Sequence, residues 1–481
     1  MWKLSQFTVV RNLSDRDLAS HHLIYHTGSH QSMTVTAENW NRILSHLEGG
    51  EDAPPEIERA LGQLAAAGII VRSDRDERSA WEAEFDSKRY RPRKIFPILT
   101  VTTACNIGCT YCYEEGIASA TMTPEVIAGC MRWIKRRAVE DGIEEIHPGL
   151  FGGEPLLYPR LLFEITDRFA DLCRRHRVRG SFYCSSNGML LTEELGRELA
   201  RRGLRQMQIS LDGPPEIHDQ RRLGKRGQPS FQKSLSGLRA AVKTIPSVTV
   251  KVNFDRHNRR FAARIFDLLV EEALAERVSV KLEAVAPQMA GSTARHPPAY
   301  VIPPESEELA EAYTELALEC MRRGIRVSRD TAHTTPCMFT SEHGVIIGPD
   351  GGIYKCVSLV GRSETRVGSV FDEDYDTREY TSQMDVLKRL DACFDERCPY
   401  VPVCAGGCAY HALLETGTYQ RRFCTREYLH RFYDLRYLTR HREQLEALGM
   451  RAITPEELAL SGEAPPSDRR AGGAGAAGLA G

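Results

Sequence analysis

The run Cys105-Asn106-Ile107-Gly108-Cys109-Thr110-Tyr111-Cys112 places three cysteines at a C-x3-C-x2-C spacing in this chain of 481 residues. Three thiolates can bind three irons of a [4Fe–4S] cluster and leave the fourth iron open to another ligand. Clusters that only transfer electrons are closed by four cysteines, so the missing ligand predicts chemistry at the cluster. A structural zinc site is the alternative interpretation, but such sites use four ligands in paired arms, and the run has only one C-x2-C pair.

The segments around this run predict strands that alternate with helices. An apolar run at 95–101 precedes the cysteines, and further strands are predicted to end near 151, 184 and 211 and to span 248–254 and 278–285. Each of the first four strands leads into a polar or glycine-rich motif. The alternation predicts a parallel α/β barrel, complete or partial, whose reactive residues lie in loops at the C-terminal ends of the strands.

Three motifs together resemble the radical S-adenosylmethionine (SAM) enzymes: the three cysteines, the run Gly152-Gly153-Glu154-Pro155 and the run Ser185-Ser186-Asn187-Gly188. The resemblance implies a partial (β/α)6 barrel over residues 95–290. It also implies that the methionyl amine and carboxylate of SAM bind the open iron of a [4Fe–4S] cluster held by the three cysteines. One electron from the cluster then cleaves SAM to a 5′-deoxyadenosyl radical, which abstracts a hydrogen from the substrate.

The same resemblance assigns SAM contacts to residues at the strand ends. Close approach of the backbone to the SAM amine explains the glycines, and the carboxylate of the motif adds a negative charge near that amine. The residues expected to contact SAM are Tyr111, Gly152, Gly153, Glu154, Pro155, Ser186, Asn187, Ser210 and Arg222. Arg221 competes with Arg222 for the SAM carboxylate. Asp212 is the one candidate general base, with capping of its turn as the alternative, and a loop-anchoring turn explains His218 and Asp219 equally well.

A second set of cysteines lies in the C-terminal third of the chain. Cys337-x13-Gly351-x4-Cys356, Cys398-x5-Cys404-x3-Cys408 and a later Cys424 resemble, in order and spacing, the SPASM domain of some radical SAM enzymes. That domain carries up to two auxiliary [4Fe–4S] clusters. The resemblance implies that the first auxiliary cluster is bound by Cys337, Cys356 and Cys408, and the second by Cys398, Cys404 and Cys424.

The sequence leaves the identity of two ligands of the auxiliary clusters undecided. The family pattern has a cysteine three residues before Cys398, where this chain has Asp395, and Cys393 lies two residues earlier. Cys393 is favoured as a ligand of the second cluster because thiolate suits iron–sulfur clusters better than carboxylate. For the first cluster, the alternatives for a fourth ligand are His333, Cys320 and a thiolate of the substrate.

Residues 1–88 are predicted to form a separate module that resembles a winged helix. Short strands are expected near 7–10, 23–25 and 33–35, followed by helices over 40–47 and 57–64 and a strand at 69–71. Winged helices bind DNA or recognise the leader segment of precursor peptides, which adds a strand to a sheet edge. Residues 1–77 hold seven Lys or Arg and eleven Asp or Glu. The basic surface that DNA binding needs is therefore missing, and peptide recognition is favoured over DNA binding and over a structural lid.

The remaining segments and the composition complete the predicted organisation. Residues 291–330 are expected to form a bridging loop and helix, 331–430 the SPASM domain, 431–463 a C-terminal helix and 464–481 a disordered tail. The net charge of −2 suggests no nucleic-acid partner. The chain shows no signal peptide and no membrane-spanning run, and cysteines at ligand spacings fit a reducing compartment, so a cytoplasmic location is expected.

These features predict a radical SAM/SPASM enzyme that modifies a ribosomally made precursor peptide. The expected product is an oxidative cross-link, a thioether or a carbon–carbon bond, with electrons from a donor such as flavodoxin or ferredoxin. The enzymatic alternatives are a peptide epimerase, backbone excision, and a maturase that oxidises Cys or Ser to formylglycine. In that maturase an Asp follows the second auxiliary cysteine, whereas Val357 follows Cys356 here. An iron–sulfur redox regulator that binds DNA is the non-enzymatic alternative.

Overall fold

The computed structural model describes residues 1–13, 21–49, 53–287, 289, 295–328, 337–372, 378–385 and 387–447. The predictions for His333, for the tail 464–481 and for the end of the C-terminal helix fall outside these residues. Within them the chain forms an N-terminal part, a central α/β part, and a C-terminal part that carries the second set of cysteines.

The N-terminal part combines two small antiparallel sheets with two helices. Its elements are β1 (Trp2–Leu4), β2 (Thr8–Leu13), β3 (His21–His26), β4 (Ser32–Thr36), α1 (Ala37–Gly49), α2 (Pro55–Ala66) and β5 (Ile70–Arg72). Strand β1 pairs with β5, while β2, β3 and β4 form a sheet with β3 in the centre. Ile24, Trp40, Ile43, Leu61 and Leu64 are buried in one cluster, as the apolar spacing of both helices predicts.

A helix that the sequence expectations do not contain, α3 (Glu77–Tyr90), follows β5. Asp76 caps it by accepting a hydrogen bond from a backbone N–H of the first turn, which is a signal that the sequence does carry. The apolar face of the helix is short, since Trp81 and Phe85 alone pack deeply, against Phe394 of the C-terminal part. Two large residues are too few to define a period, so the helix becomes evident only with its partner surface.

The central part alternates strands and helices, as predicted. Its elements are β6 (Lys94–Ile95), β7 (Ile98–Thr102), β8 (Ile107–Cys109), α4 (Pro124–Val139), β9 (Glu145–Ile146), β10 (Gly149–Gly152), α5 (Pro159–His176), β11 (Arg179–Gly180), β12 (Phe182–Ser186), α6 (Glu193–Arg201), β13 (Leu204–Ser210), α7 (Pro215–Arg221), β14 (Arg222–Gly224), α8 (Phe231–Thr244), β15 (Ser247–Phe254), α9 (Arg259–Glu271) and β16 (Val278–Ala284). Strands β7, β10, β12, β13, β15 and β16 are parallel neighbours in one sheet, in chain order.

This strand order determines where the helices lie. Right-handed crossovers that always step to the next strand in the same direction place the connecting helices on one face of the sheet. The alternation along β15 agrees, because Val248, Val250 and Val252 are buried in the apolar core, whereas Lys251 on the opposite face is partly accessible. The predicted α/β architecture is therefore confirmed, and the C-terminal ends of its strands meet at one edge.

One predicted strand is in fact two. The apolar run at 95–101 divides into β6 and β7 at Pro97, which has no N–H to donate to a strand ladder. Strand β6 pairs with β9, outside the main sheet, whereas β7 pairs with β10 inside it. The division leaves the C-terminal end of β7 next to the first cysteine run.

The C-terminal part extends the main sheet and adds short helices around the second set of cysteines. Its elements are α10 (Glu307–Arg322), β17 (Arg326–Val327), β18 (Ile346–Ile347), β19 (Gly352–Tyr354), β20 (Gly368–Ser369), α11 (Arg378–Met384), α12 (Asp391–Asp395), α13 (Val401–Cys404), α14 (Ala409–Thr416) and α15 (Arg426–Ala447). Strand β18 pairs with β7 and β17 pairs with β16, both in parallel. Helix α10 is the predicted bridging helix, and α15 begins before the predicted boundary at 431.

A buried hydrogen-bond network joins the N-terminal part to the C-terminal part. The Tyr25 hydroxyl lies 3.0 Å from the Tyr400 hydroxyl and donates to Asp434 Oδ1 at 3.0 Å. The other oxygen of this carboxylate accepts from Arg11 Nη2 at 2.6 Å, and the Tyr400 hydroxyl lies 2.7 Å from His430 Nδ1. Because buried polar groups need hydrogen-bond partners, these side chains hold the two parts in one arrangement.

We expect Asp434→Ala to lower the thermal unfolding midpoint, because it removes the carboxylate that pairs with Arg11; losing such a partner costs about 3 kcal/mol. Tyr25→Phe removes one hydroxyl and keeps the ring, so a smaller loss of about 1 kcal/mol is expected. Differential scanning calorimetry measures both. The matched control is Glu56→Ala, since Glu56 pairs with Arg42 on the surface and such pairs contribute little. Equal midpoints for Asp434→Ala and Glu56→Ala would contradict the role of the network.

Candidate active site

The first cysteine run lies at the C-terminal end of β7 and is held by a short antiparallel ladder. Strand β8, inside the run, pairs with β14, and the register sets Cys109 opposite Arg222. Burial raises the pKa of Cys105 to about 12 and also raises that of Cys112, and the nearby Cys109 thiol adds to the rise in both. The three predicted ligands of the first cluster are therefore brought together at one strand end.

The glycine motif packs directly against the backbone that leads into the cysteines. Gly152 ends β10 with φ +145°, and a Cβ there would lie 2.1 Å from the carbonyl oxygen of Thr102. A Cβ on Gly153 would lie 2.4 Å from the carbonyl oxygen of Ala104. The N–H groups of Gly153 and Glu154 donate to these same two carbonyls, each at 2.9 Å. Both glycines are thus required by the close approach of two backbone segments. This requirement adds to the reason expected from the sequence, which is close approach of the backbone to SAM.

The carboxylate of Glu154 gathers two of the predicted motifs. It is fully buried and accepts hydrogen bonds from Ser186 Oγ at 2.8 Å, from the Asn187 N–H at 2.7 Å and from the Leu156 N–H at 2.9 Å. Burial raises the pKa of Glu154, while these hydrogen bonds and the charge of Arg222 oppose the rise. Pro155 follows in a short 3-10 helix. Residues predicted on separate strands therefore converge on one carboxylate.

Two further predicted SAM contacts lie at neighbouring strand ends. The Asn187 side-chain amide donates to Asn106 Oδ1 at 2.7 Å and approaches Cys105 Sγ at 3.9 Å. Ser210 is the last residue of β13 and is buried, opposite Lys251 of β15. Because the strands are parallel, both side chains lie at the same edge of the sheet as the first cysteine run.

Tyr111 and Asp212 form another side of the site. The Tyr111 hydroxyl donates to Asp212 Oδ2 and accepts from Arg222 Nη1 at 2.7 Å. Asn253 of β15 donates from Nδ2 to Asp212 Oδ1 at 3.0 Å. The guanidinium of Arg221 lies over the Tyr111 ring, 4.8 Å from its centre. One face of the ring that the sequence predicts beside adenine is thus covered by an arginine.

The two adjacent arginines have different partners. Arg221 pairs with Asp255 and donates to the Asn253 carbonyl at 3.3 Å. Arg222 donates to Tyr111, as above, and lies 4.0 Å from its nearest carboxylate. The Nε atoms of both arginines are buried without a hydrogen-bond partner among the described residues. Because the charge of Arg221 is matched by an adjacent carboxylate, Arg222 remains the better candidate for an anionic ligand.

Asp212, the candidate general base, is held on several sides. Burial alone would raise the pKa of Asp212, but the charges of Arg222 and Arg221 lower it below its ordinary value. Its oxygens accept hydrogen bonds from Tyr111 and Asn253. A fully buried carboxylate with these partners is better suited to position side chains than to accept a proton from a substrate.

His218 and Asp219 anchor the loop that carries the two arginines, which favours the turn interpretation of this motif. His218 Nδ1 accepts the Asp212 N–H at 3.3 Å. Asp219 Oδ1 accepts the N–H groups of Ser230 and Phe231 at 2.7 and 2.8 Å, at the start of α8. Both side chains thus fix backbone around the site.

The C-terminal cysteines gather into two groups. The first group is Cys337, Cys356 and Cys408, and the second group is Cys393, Cys398, Cys404 and Cys424. Burial raises the pKa of Cys356 to about 12, and both other members of the first group add to that rise. Burial also raises the pKa of Cys404 to about 12, and the other three members of the second group add to it. All four members of the second group line one pocket.

The positions of Cys393, Asp395 and Cys320 bear on the two ligands that the sequence leaves undecided. Cys393 is buried and lines the pocket of the second group, whereas Asp395 is exposed and is not among the lining residues. The donor set at this pocket is therefore four thiols. Cys320 is buried in the apolar core on α10, and this burial raises the pKa of its thiol. That position argues against Cys320 as a ligand of the first group.

Arg389 lies close to both groups of C-terminal cysteines. It is 4 % exposed, and its guanidinium hydrogen-bonds to two backbone carbonyls, at 3.2 and 3.5 Å, and to no carboxylate in the described part of the chain. Burial lowers its pKa, while Cys337, Cys404 and Cys408 raise it. A buried cation is costly without a compensating negative charge. Thiolates bound to iron would supply that charge, so the surroundings of these cysteines fit iron–sulfur clusters.

The first cysteine run also fits a cluster by the chemistry of its donors. No group of three or more His, Cys, Asp or Glu side chains in the described residues is arranged to hold a metal ion. In an iron–sulfur cluster, however, each thiolate binds a different iron, so the sulfur atoms need not converge on one point. Thiols with raised pKa values are protonated at neutral pH, and their protons leave when metal binds.

Several residues of the site are missing from the sequence expectations. Asn253 and Asp255 follow the same rule as the predicted residues, since they lie at the C-terminal end of a strand that the sequence does predict. Arg389 has no such signal, because its importance depends on two cysteine groups that the fold brings to it.

Residues 99–290 match the family model described as the Radical SAM superfamily. A GTP 3′,8-cyclase of Microcystis aeruginosa is 31% identical over 147 residues, which cover 30% of this chain and 42% of that protein. The serine-type anaerobic sulfatase-maturating enzyme of Bacteroides thetaiotaomicron is 29% identical over 147 residues, which cover 29% of this chain and 34% of that protein. The chain thus spans less than half the length of these curated relatives.

Two solved structures share the fold over most of the chain. The structure of native anSMEcpe with bound AdoMet and Kp18Cys peptide has a TM-score of 0.56 at 17% identity and covers 76% of this chain and 99% of that chain. The structure of Streptococcus suis SuiB bound to the precursor peptide SuiA has a TM-score of 0.52 at 13% identity and covers 88% of this chain and 99% of that chain. At these identities the likeness shows the fold.

The shared fold and the family match make the central part of this chain similar to the proteins of that superfamily. More specifically, the chain carries a radical SAM domain over residues 99–290. The family implies SAM and a [4Fe–4S] cluster as cofactors. Within the described residues, none of the helices combines the length and apolar character that crossing a membrane requires.

We expect Gly153→Ala to displace the first cysteine run, because the added methyl group would meet the Ala104 carbonyl at 2.4 Å. The measurements are iron content after anaerobic reconstitution and the thermal unfolding midpoint, and both should fall. Gly62→Ala is the matched control, since nothing lies within 4 Å of a Cβ at this helical position. It should leave iron content unchanged. A Gly153→Ala protein with full iron content and an unchanged midpoint would show that the close approach is not required.

Proposed function

We propose that this chain is a radical SAM maturase that oxidatively cross-links a ribosomally made precursor peptide, forming a thioether or a carbon–carbon bond. The observation that carries the proposal is the separation of the cysteines into three groups, of which only the first lies beside the Glu154, Ser186 and Asn187 network. One cysteine group would support SAM cleavage, and the other two would support electron transfer or hold a substrate sulfur.

In this proposal, the central part curls into the partial (β/α)6 barrel, and its strand ends bind SAM. Cys105, Cys109 and Cys112 would hold the cluster, which with SAM supplies a 5′-deoxyadenosyl radical. Gly152 and Gly153 let the backbone approach the SAM amine, near the buried charge of their neighbour Glu154. The remaining contacts to SAM would come from Tyr111, Pro155, Ser186, Asn187, Ser210 and Arg222. For Arg222 the buried Nε, with no partner among the described residues, supports a role in binding an anion.

The C-terminal part would be the SPASM domain with two auxiliary [4Fe–4S] clusters. Cys337, Cys356 and Cys408 would bind the first, and Cys393, Cys398, Cys404 and Cys424 the second. Arg422 and Arg426 support the second assignment, because they donate hydrogen bonds to Cys393 and Cys398. Hydrogen bonds to cluster sulfurs favour the reduced state. A donor such as flavodoxin or ferredoxin would supply electrons.

The N-terminal part would be a winged-helix-like module that recognises the leader of the precursor. Its three-stranded sheet has β2 and β4 at its edges among the described strands, and an edge strand can pair with an extended peptide. The excess of acidic over basic residues in 1–77 supports a peptide over nucleic acid. The structure of SuiB bound to a precursor peptide covers 88% of this chain, which supports the same assignment.

A formylglycine-forming maturase is the second candidate, and the relative named as a sulfatase-maturating enzyme favours it. Val357 occupies the position after Cys356 at which such enzymes carry an Asp, so the base expected for that reaction is missing there. The similarity to that relative also covers only 29% of this chain. Both observations favour peptide cross-linking.

The test is a mass measurement. The protein is co-expressed anaerobically with short open reading frames encoded beside its gene, and each peptide is then weighed. A loss of two hydrogens per event is expected, since each cross-link removes one hydrogen from each of two atoms, and fragmentation locates the bond. The control is the same co-expression with Cys105→Ala. An unchanged mass together with deuterium uptake from solvent would mean epimerisation and would contradict cross-linking.

We expect the triple variant Cys105→Ala, Cys109→Ala, Cys112→Ala to lose SAM cleavage and about four irons per chain, while it keeps the iron of the C-terminal groups. Release of 5′-deoxyadenosine under dithionite and iron analysis measure the two effects. Cys130→Ala is the matched control, because this buried cysteine on α4 lies in the apolar core, and it should keep both properties. Loss of all iron from a soluble, folded triple variant would refute independent cluster sites.

A further inference from the structure

Three charged side chains form a group on β15 and β16 that the SAM site does not use. Glu283 bridges two lysines, with Oε1 at 3.2 Å from Lys251 Nζ and Oε2 at 3.3 Å from Lys281 Nζ. The register sets the two lysines directly opposite each other, where like charges repel. These three residues, called the Lys–Glu–Lys group below, carry one more positive than negative charge.

The group lies on the face of the sheet that the connecting helices do not cover. Along both strands the alternate residues are buried in the core, while the members of the Lys–Glu–Lys group point the other way. Each side chain of the group is partly accessible, with 44 % exposure for Glu283, 22 % for Lys251 and 26 % for Lys281. A ligand in the space on this face of the sheet can therefore reach them.

This space adjoins both the SAM site and the first C-terminal cysteine group. Glu283 is directly opposite Asn253, which binds Asp212 and Tyr111. Ala286, three residues after Glu283, packs against the same apolar cluster as Cys356. The Lys–Glu–Lys group therefore faces the region between the first cysteine run and Cys356, where a substrate would react.

The charge of the group indicates what it binds. Burial alone would raise the pKa of Glu283, but the two ammonium groups lower it to about 2, so this carboxylate is ionised and is too weak a base to take a proton from a substrate. One positive charge of the group remains without a carboxylate of its own, because both lysines share Glu283. A single carboxylate would balance it, whereas the several charges of a nucleoside triphosphate would exceed it.

We propose that the Lys–Glu–Lys group binds a carboxylate of the substrate peptide, either an Asp or Glu side chain or the C-terminus; this inference rests on the proposed peptide substrate. Each lysine has three donors and uses one on Glu283, so both can also donate to a second carboxylate. The group thus selects an acidic residue close to the residue that is modified.

The experiment follows the binding of three pentapeptides to reconstituted protein by ligand-observed NMR, at saturating SAM and, for comparison, without SAM. The first is Gly-Ala-Asp-Ala-Gly capped at both ends, and the second is the same capped peptide with Asn in place of Asp. The third is Gly-Ala-Ala-Ala-Gly, capped at its N-terminus and free at its C-terminus. We expect the Asp peptide, the free-C-terminus peptide or both to bind about tenfold more tightly than the Asn peptide. The first and third peptides distinguish a side-chain carboxylate from a terminal one.

Variants of the protein connect this preference to the group. Lys281→Gln should remove the preference, and Lys281→Arg should keep it because the charge is kept; Lys251→Gln repeats the test if the first variant does not fold. The matched control is Lys243→Gln, since Lys243 pairs with Glu193 on the outside of the molecule, and it should leave the preference unchanged.

Three results would overturn the inference: equal affinity of wild-type protein for all three peptides, a preference that survives in Lys281→Gln, and a preference that SAM abolishes, which would assign the group to the SAM carboxylate. Failure of this inference is distinguishable from failure of the proposed function. If the protein cross-links a precursor but shows no carboxylate preference, only the proposed carboxylate site is contradicted. If it shows the preference but modifies no precursor, only the maturase assignment is contradicted.

Discussion

The buried carboxylate of Glu154 is the interaction on which the rest of the site depends. A carboxylate in a protein interior is tolerated only when its oxygens are hydrogen-bonded, and Glu154 takes its donors from Ser186, Asn187 and the start of its own 3-10 helix. At the same time, its own N–H and that of Gly153 bind the backbone before the first cysteine. Burial of one charge therefore brings the loops after β7, β10 and β12 into a single arrangement, which is the arrangement that a cluster and SAM would need.

Sequence reasoning found the features that depend on neighbouring residues. The apolar runs of β13, β15 and β16 are local patterns that predicted the parallel sheet. The spacing of both cysteine sets is also local, and the resemblance that it carries implied the three thiol groups. The same reasoning merged two strands across Pro97 and missed α3, whose apolar face is defined by Phe394 from far along the chain. It also missed the Lys–Glu–Lys group, because the register that sets Lys251 opposite Lys281 joins strands separated by a helix, and no local period contains it.

The charges around the C-terminal cysteines connect cluster binding to stability. Three cations lie next to the C-terminal thiols: Arg389, Arg422 and Arg426. Burial raises the pKa values of the Cys393 and Cys404 thiols in this region. Without metal, Arg422 and Arg426 share the single carboxylate of Glu396, and Arg389 has backbone carbonyls as its hydrogen-bond partners. When iron binds, the thiols become thiolates and the same arginines become favourable partners. Because a ligand that binds only the folded state increases stability, the proposed auxiliary clusters would stabilise the C-terminal part more than the central sheet, whose core is apolar.

The position of the N-terminal part has a consequence for how the proposed maturase would use its substrate. Tyr25 and Thr27 bind Tyr400 and the Pro399 carbonyl, next to the second C-terminal cysteine group, which Tyr400 also lines. The Lys–Glu–Lys group instead faces the first cysteine run. A leader held by the N-terminal sheet would therefore be anchored away from the site of reaction, and the segment to be modified would be supplied at the high effective concentration of a tethered ligand. The affinity for the precursor would then come from its leader, and a single carboxylate near the modified residue would be enough to position that residue for reaction.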